Sequence, residues 1–156
     1  MNKREKSKSI YLAMTILTVG LLPCLGYIDK WIYLNKTVSM PQGLYIKVRK
    51  NNFSMGDIIV FKLKNKQTLL LKHIAGMSGD TFCLDFEKVL WVNNLPLAKQ
   101  NIQKYYTEKP QQEWCNTLNS DEFLVLGEHQ NSYDSRYFGP IKTTDIITQV
   151  EPFLIF

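Results

Sequence analysis

A chain of 156 residues has room for one domain with a core of its own and little more. Its net charge of +5 draws heavily on Lys3, Arg4, Lys6 and Lys8, and the remaining lysines are mixed with acids. No basic stripe interleaved with aromatics is present, which argues against a nucleic-acid partner. The cysteines and histidines lack metal-ligand spacing, so neither a metal nor a cofactor is expected.

From the N-terminus, residues 1–9 form a basic tail, and Ile10 to Ile28 follows without a charged residue. That run approaches the ~20 residues of a bilayer-spanning helix. The basic flank keeps the N-terminus cytoplasmic, so the chain from about Asp29 lies across the membrane. A cleaved secretory signal has a shorter apolar region ending in a small-x-small site, which the exit Pro23-Cys24-Leu25-Gly26-Tyr27-Ile28 lacks. A buried core helix would show a polar stripe at helical spacing, and none breaks the run. Pro23 bends or ends the helix, which membrane helices tolerate.

Beyond the anchor, short strands dominate the expectation. Leu44 to Val48 alternates apolar and polar residues, and Ile58 to Leu63 is β-branched and aromatic. Asn65-Lys66-Gln67 reads as a hairpin turn leading to a strand over Thr68–Ala75. Thr81–Leu84 and Val89–Val92 are short strands, with Asn93-Asn94 turning the chain after the second. Ala98 to Asn119 is polar and reads as a long surface excursion. Glu122 to Leu126 returns to strand, Gly127 to Gly139 is a polar loop, and Ile146 to Ile155 closes the domain. The fold class is mainly β, a barrel or pair of sheets of short strands. Cys83 and Cys115 either pair, closing a loop of roughly 30 residues, or stand as two separate thiols.

Two residues carry the chemistry. Ser39 sits in Asn35-Lys36-Thr37-Val38-Ser39-Met40-Pro41-Gln42-Gly43-Leu44-Tyr45, where the fixed φ of Pro41 and the freedom of Gly43 can hold one orientation. Thr37, two residues earlier on an extended chain, projects from the same face, so its hydroxyl can join the Ser39 amide as an oxyanion donor. Lys72 lies in Leu69-Leu70-Leu71-Lys72-His73-Ile74-Ala75-Gly76. Strand alternation places Leu70 and Ile74 beside it as an apolar wall and turns His73 away. Such a wall disfavours the ammonium and makes the amine a base. A serine nucleophile with a lysine base needs neither histidine nor aspartate. Further on, Asp134 and Arg136 can form a charge-assisted pair, and Ser132 can orient a lysine amine.

Ser-Met-Pro, Gly-Asp-Ile-Ile-Val-Phe, Leu-Lys-His-Ile-Ala-Gly-Met-Ser-Gly-Asp and Asn-Ser-Tyr-Asp-Ser-Arg-Tyr-Phe-Gly-Pro stand here in the order of the Ser–Lys signal peptidase family. Between Asn35 and Pro140, with the anchor upstream, the chain resembles that family. The resemblance implies a nucleophile at Ser39, a general base at Lys72 and an oxyanion-hole hydroxyl at Thr37. It makes Ser132 the lysine-orienting residue and Asp134 with Arg136 a structural pair. It further implies a signal-peptidase-like β domain over residues 30–156, periplasmic, on a single-pass anchor (10–28) in the bacterial inner membrane. Family members cleave exported precursors after small residues, with the substrate bound as an extended strand.

Within the family, Ser39-Met40-Pro41-x-Gly43-Leu44-Tyr45, one anchor and no large inserted domain resemble the TraF-type conjugative transfer peptidase. That branch implies a pilin precursor as substrate and transfer-complex components as partners. A general type I leader peptidase is the alternative within the family. Outside the Ser–Lys reading stand a triad of Ser39 with His73 or His129 and Asp134, and a non-catalytic anchored scaffold of a secretion or conjugation complex.

Overall fold

The structure, a computed structural model, describes residues 11–12, 14–16, 31–48, 52–64, 66–100 and 114–156. The chain divides into two compact units, residues 1–33 and 34–156. In the first, Tyr11, Leu12, Met14, Thr15 and Ile16 are helical, and Thr15 Oγ1 donates to the Tyr11 carbonyl at 2.8 Å. The rest of the expected span 10–28, and the whole basic tail 1–9, lie outside the described residues. Among the described residues, no helix is long and apolar enough to cross a membrane.

The second unit is mainly β. Its larger sheet contains β1 (Ile32–Asn35), β2 (Gly43–Val48), β3 (Ile58–Lys62), β4 (Leu69–Gly76), β9 (Glu122–Leu126), β10 (Ile141–Lys142) and β11 (Ile146–Ile155). Their order is β1-β2-β11-β3-β4-β9-β10. The smaller sheet contains β5 (Thr81–Leu84), β6 (Val89–Val92), β7 (Leu95–Lys99) and β8 (Trp114–Thr117), in the order β7-β6-β5-β8.

The apolar runs explain the layering. Ile59, Phe61, Ile74, Phe123, Val125 and Ile141 form the core of the larger sheet. Phe82, Leu90, Val92 and Leu118 form a second core that also takes Leu124. Strand β9 therefore contributes Phe123 and Val125 to one core and Leu124, at the alternate position, to the other. A strand buried on both faces reads as continuous apolar sequence, and Phe123-Leu124-Val125 does.

Most expected strands occur within a residue or two of their expected ends. Asn93 and Asn94, with φ of 49° and 64°, make the two-residue turn between β6 and β7. Several elements, β10 among them, differ from expectation. Strand β1 precedes the first expected strand. The short helix α1 (Ser135–Phe138) interrupts the loop over Gly127–Gly139, its N-terminus capped by the Asp134 carboxylate. The excursion from Ala98 to Asn119 contains the end of β7 and all of β8, whose residues 114–117 are every one exposed. No core-facing alternation marks β8, because what holds it is β5 and a covalent bond. Cys83 and Cys115 stand directly opposite in the β5–β8 register and form a disulfide.

That cross-link closes a sequence separation of 32 residues. Replacing Cys83 with serine should lower the unfolding free energy by about 3–4 kcal/mol on the chain-entropy account. Denaturant melts of the variant and of the reduced wild type should then coincide, both below the oxidised protein.

Candidate active site

Two chain segments, one at the β1–β2 edge of the larger sheet and one on its interior strand β4, converge at Ser39. The first is the connection between β1 and β2. Asn35, at the end of β1, folds its side chain under the following loop: Nδ2 donates to the carbonyls of Thr37 (3.0 Å), Met40 (2.9 Å) and Pro41 (3.0 Å). Its Oδ1 accepts from the Thr37 amide at 3.1 Å and the Thr37 hydroxyl at 2.8 Å. Gln42 Nε2 donates to the Lys36 carbonyl at 2.7 Å, and Tyr45 Oη donates to the Pro41 carbonyl at 2.7 Å. Gly43 lies so close to β11 that a Cβ there would collide with the Leu154 carbonyl. The run Pro41-x-Gly43-x-Tyr45 is thus one device: glycine admits β11, and the tyrosine ties the loop back.

The second segment is β4. Lys72 is 2% exposed and stands opposite Ile59, with Leu70 and Ile74 on its own face of the strand. Its Nζ donates to Ser39 Oγ at 2.8 Å and to the Leu71 carbonyl at 3.0 Å. Burial pushes its pKa down from 10.5 to about 8; the Asp134 charge opposes that shift and the Arg136 charge adds to it.

A third segment, from Gly127 to Arg136, braces both. Asp134 and Arg136 form a two-pronged buried pair, Nε to Oδ1 at 2.7 Å and Nη2 to Oδ2 at 2.6 Å. Arg136 also donates to the carbonyls of His129, Gln130 and Lys99, while Asp134 Oδ2 accepts from the Gly127 amide at 2.9 Å. The His129 amide meets the Ser39 carbonyl at 3.4 Å. A cleft of about 350 Å³ opens beside the serine, lined by Val38, Met40, Pro41, Glu128, His129 and Phe156 among others. Among the described residues, no cluster of His, Cys, Asp or Glu could hold a metal ion.

The family described as signal peptidase, peptidase S26, matches residues 8–154. The chain belongs to that family. A curated relative, signal peptidase I P of Bacillus subtilis subsp. natto, is 28% identical over 132 residues, 80% of this chain and 66% of that protein. The chain therefore spans just under two thirds of that relative's length. A solved signal peptidase I from Enterococcus faecalis V583 is 21% identical, with a TM-score of 0.45 over 66% of this chain and 100% of the other.

Of the residues singled out in the sequence, the structure brings Ser39, Lys72 and Thr37 together. Thr37 Oγ1 lies 3.0 Å from Ser39 Oγ. Its hydrogen, however, is given to Asn35 Oδ1, so towards Ser39 the hydroxyl presents an oxygen rather than the donor expected of an oxyanion hole. Asp134 and Arg136 pair as expected. Ser132 differs: its Oγ is buried without a hydrogen-bond partner among the described residues, and Lys72 bonds to Ser39 and Leu71 instead.

The histidine triad is not assembled. His73 Nε2 meets Glu128 at 2.8 Å and its Nδ1 meets the Gly56 carbonyl, while His129 Nδ1 accepts from the Asn131 amide. Asp134, the third member, is committed to Arg136.

Asn35 and Gly127 escaped the sequence reading. An asparagine closing a strand two residues before a threonine is an Asx-turn signal, and the Thr37 amide bond to Asn35 Oδ1 is that turn. Gly127 carried no such signal. A Cβ on it would collide with Ser132 Oγ and lie 2.6 Å from the Ser39 carbonyl.

Two outcomes follow from this packing and charge. Gly127→Ala should destabilise by about 1–3 kcal/mol through overpacking, read as a fall in Tm. NMR of ε-carbon-labelled lysine should show Lys72 titrating near 8, well below the 10.5 of an open lysine. Because the unfolded chain binds that proton up to about 10.5 and the folded one only to about 8, stability gains from this group as pH rises between those values.

Proposed function

We propose that this chain is a membrane-anchored serine endopeptidase of the signal peptidase type. Ser39 is the nucleophile and Lys72 the general base. The observation that carries this reading is the 2.8 Å approach of a buried, pKa-lowered Lys72 Nζ to Ser39 Oγ, in a chain of the signal peptidase family. Neutral Lys72 takes the Ser39 hydrogen as Oγ attacks the scissile carbonyl carbon, and an acyl ester forms on the serine. The ammonium so formed returns the proton to the leaving amine. Lys72 then takes a proton from water as it attacks the ester, and the ammonium gives that proton to Ser39 Oγ as the acyl bond breaks and the new carboxyl end leaves. Asp134 and Arg136 set the charge around the lysine and brace the loop that lies against Ser39. The Ser39 amide is the expected donor to the oxyanion, with Thr37 joining when its hydroxyl turns from Asn35.

The substrate is an exported precursor bound as an extended strand in the cleft beside Ser39. Residues 10–28 anchor the chain in the bacterial inner membrane as a single pass, residues 1–9 stay in the cytoplasm, and the domain from residue 30 works on the outer, periplasmic side. Exposed Leu34, Val38, Phe153, Leu154 and Phe156 support a membrane-proximal position for the cleft. The Ser-Met-Pro-x-Gly-Leu-Tyr run supports a TraF-type enzyme acting on a pilin precursor of a conjugative apparatus, with transfer-complex components as partners. The similarity to signal peptidase I P favours the second reading, a general type I leader peptidase.

Co-expression of the full chain with a pilin precursor, and separately with a general secreted precursor, discriminates the two by which is shortened. Ser39→Ala and Lys72→Ala should each abolish shortening; near-normal processing by either removes the dyad. With a peptide substrate, kcat/KM should rise with pH to a plateau with an apparent pKa near 8, because only neutral Lys72 accepts the serine proton. A correctly folded domain that binds precursors without cleaving any would instead identify a scaffold.

A further inference from the structure

The hydrogen-bond chain at Ser39 has a direction, and Asn35 sets it. The side-chain amide is 8% exposed, and its Nδ2 faces three carbonyl oxygens, those of Thr37, Met40 and Pro41. Only a nitrogen can stand there, because an amide oxygen facing three others would repel them all. Oδ1 is therefore turned to Thr37, where it accepts from both the backbone amide and the hydroxyl. A threonine hydroxyl has one hydrogen, and Asn35 holds it. Thr37 meets Ser39 Oγ at 3.0 Å with a lone pair, so Ser39 donates to Thr37. The free lone pair of Ser39 Oγ then faces Lys72 Nζ, which donates to it at 2.8 Å.

We propose that Asn35 is a positioning residue for the reaction, acting through the Thr37 hydroxyl to orient and polarise the Ser39 O–H. This rests on the Ser39–Lys72 reading of the site. While Lys72 is charged, every hydrogen in the chain points from lysine to asparagine: Lys72 to Ser39, Ser39 to Thr37, Thr37 to Asn35. Once Lys72 is neutral, the Ser39 hydrogen has two acceptors, Thr37 Oγ1 and Lys72 Nζ, and rotation of one C–O bond passes it to the base. Without Asn35, the Thr37 hydrogen is released to point at Ser39 Oγ. It would then engage one of the two Ser39 Oγ lone pairs and make the other a poorer nucleophile. Asn35 lies beneath the loop rather than in the cleft, so its effect falls on turnover and not on substrate binding.

The test is a double-mutant cycle on the full chain in detergent micelles, with a fluorogenic peptide carrying alanine at the scissile position. Asn35→Ala should lower kcat by about 10–100-fold, with KM held within about threefold, as expected when a reacting group is misoriented. In a Thr37→Val background the same substitution should cost less than about threefold, because the hydroxyl it acts through is gone. Equal losses in both backgrounds, or an unchanged kcat, would overturn the proposal. Circular-dichroism melts identify a variant that does not fold, and Asn35→Ser then replaces Asn35→Ala in the same cycle. Turnover surviving Ser39→Ala overturns the underlying reading of the site. Equal losses with Ser39→Ala inactive overturn the role of Asn35 alone.

Discussion

A lysine buried to 2% exposure is expensive in its charged form, and in the proposed reaction that expense is what makes Lys72 a base. Lowering its pKa from 10.5 to about 8 corresponds to roughly 3 kcal/mol of disfavoured ammonium. The amine is not driven further because the Asp134 carboxylate pulls the other way, and Asp134 is in turn largely neutralised by Arg136. A lysine in water would remain a cation at neutral pH and accept nothing. A lysine among Leu70, Ile59 and Ile74 with no opposing charge nearby would become too weak a base to draw the proton from a serine hydroxyl. The Asp134–Arg136 pair lies between those limits and also ties down the loop that supports Ser39.

Placement of the serine is the complementary constraint. The loop from Lys36 to Gln42 has no regular hydrogen-bond ladder, so side chains and neighbouring strands supply its bonds. Asn35 takes three carbonyls from below, Tyr45 takes Pro41 from β2, and the Phe156 amide takes the Gln42 carbonyl from the end of β11. Glycines permit the close approaches: Gly43 against β11, and Gly127 against the Ser39 carbonyl. These contacts come from β1, β2, β11 and the loop after β9, which shows why a sheet with neighbours so distant in sequence is the scaffold. Strand β4 brings Lys72 to this loop across a separation of 33 residues.

Much of this was legible in the residues. Period-two alternation around Lys72 named its apolar neighbours and turned His73 to the other face, where it meets Glu128. The strands over Thr81–Leu84, Val89–Val92, Glu122–Leu126 and Ile146–Ile155 announced themselves because each buries a core face. Strand β8 did not, since its four residues are exposed and only pairing with β5 makes them a strand. The same holds for the disulfide: two cysteines at a plausible separation are bonded or free according to whether β5 and β8 come into register. Helix α1 was hidden by its length of four residues, too short for any period to show.

What the sequence by itself determined was the inventory: a serine in a proline- and glycine-bounded turn, a lysine flanked by strand-forming apolar residues, and an acid–base pair two residues apart. Those are local matters, and local rules of alternation and turn chemistry reach them. Tertiary structure alone decided which atoms meet and which way their hydrogens point. The Ser39–Lys72 distance depends on the β1–β2 connection and on β4, which meet only because the folded sheet sets β11 and β3 between β2 and β4. The commitment of the Thr37 hydrogen to Asn35 at 2.8 Å, and of Lys72 to the Leu71 carbonyl at 3.0 Å, depends on competition among the acceptors that the fold brings to each donor. No spacing in the chain encodes the outcome of that competition.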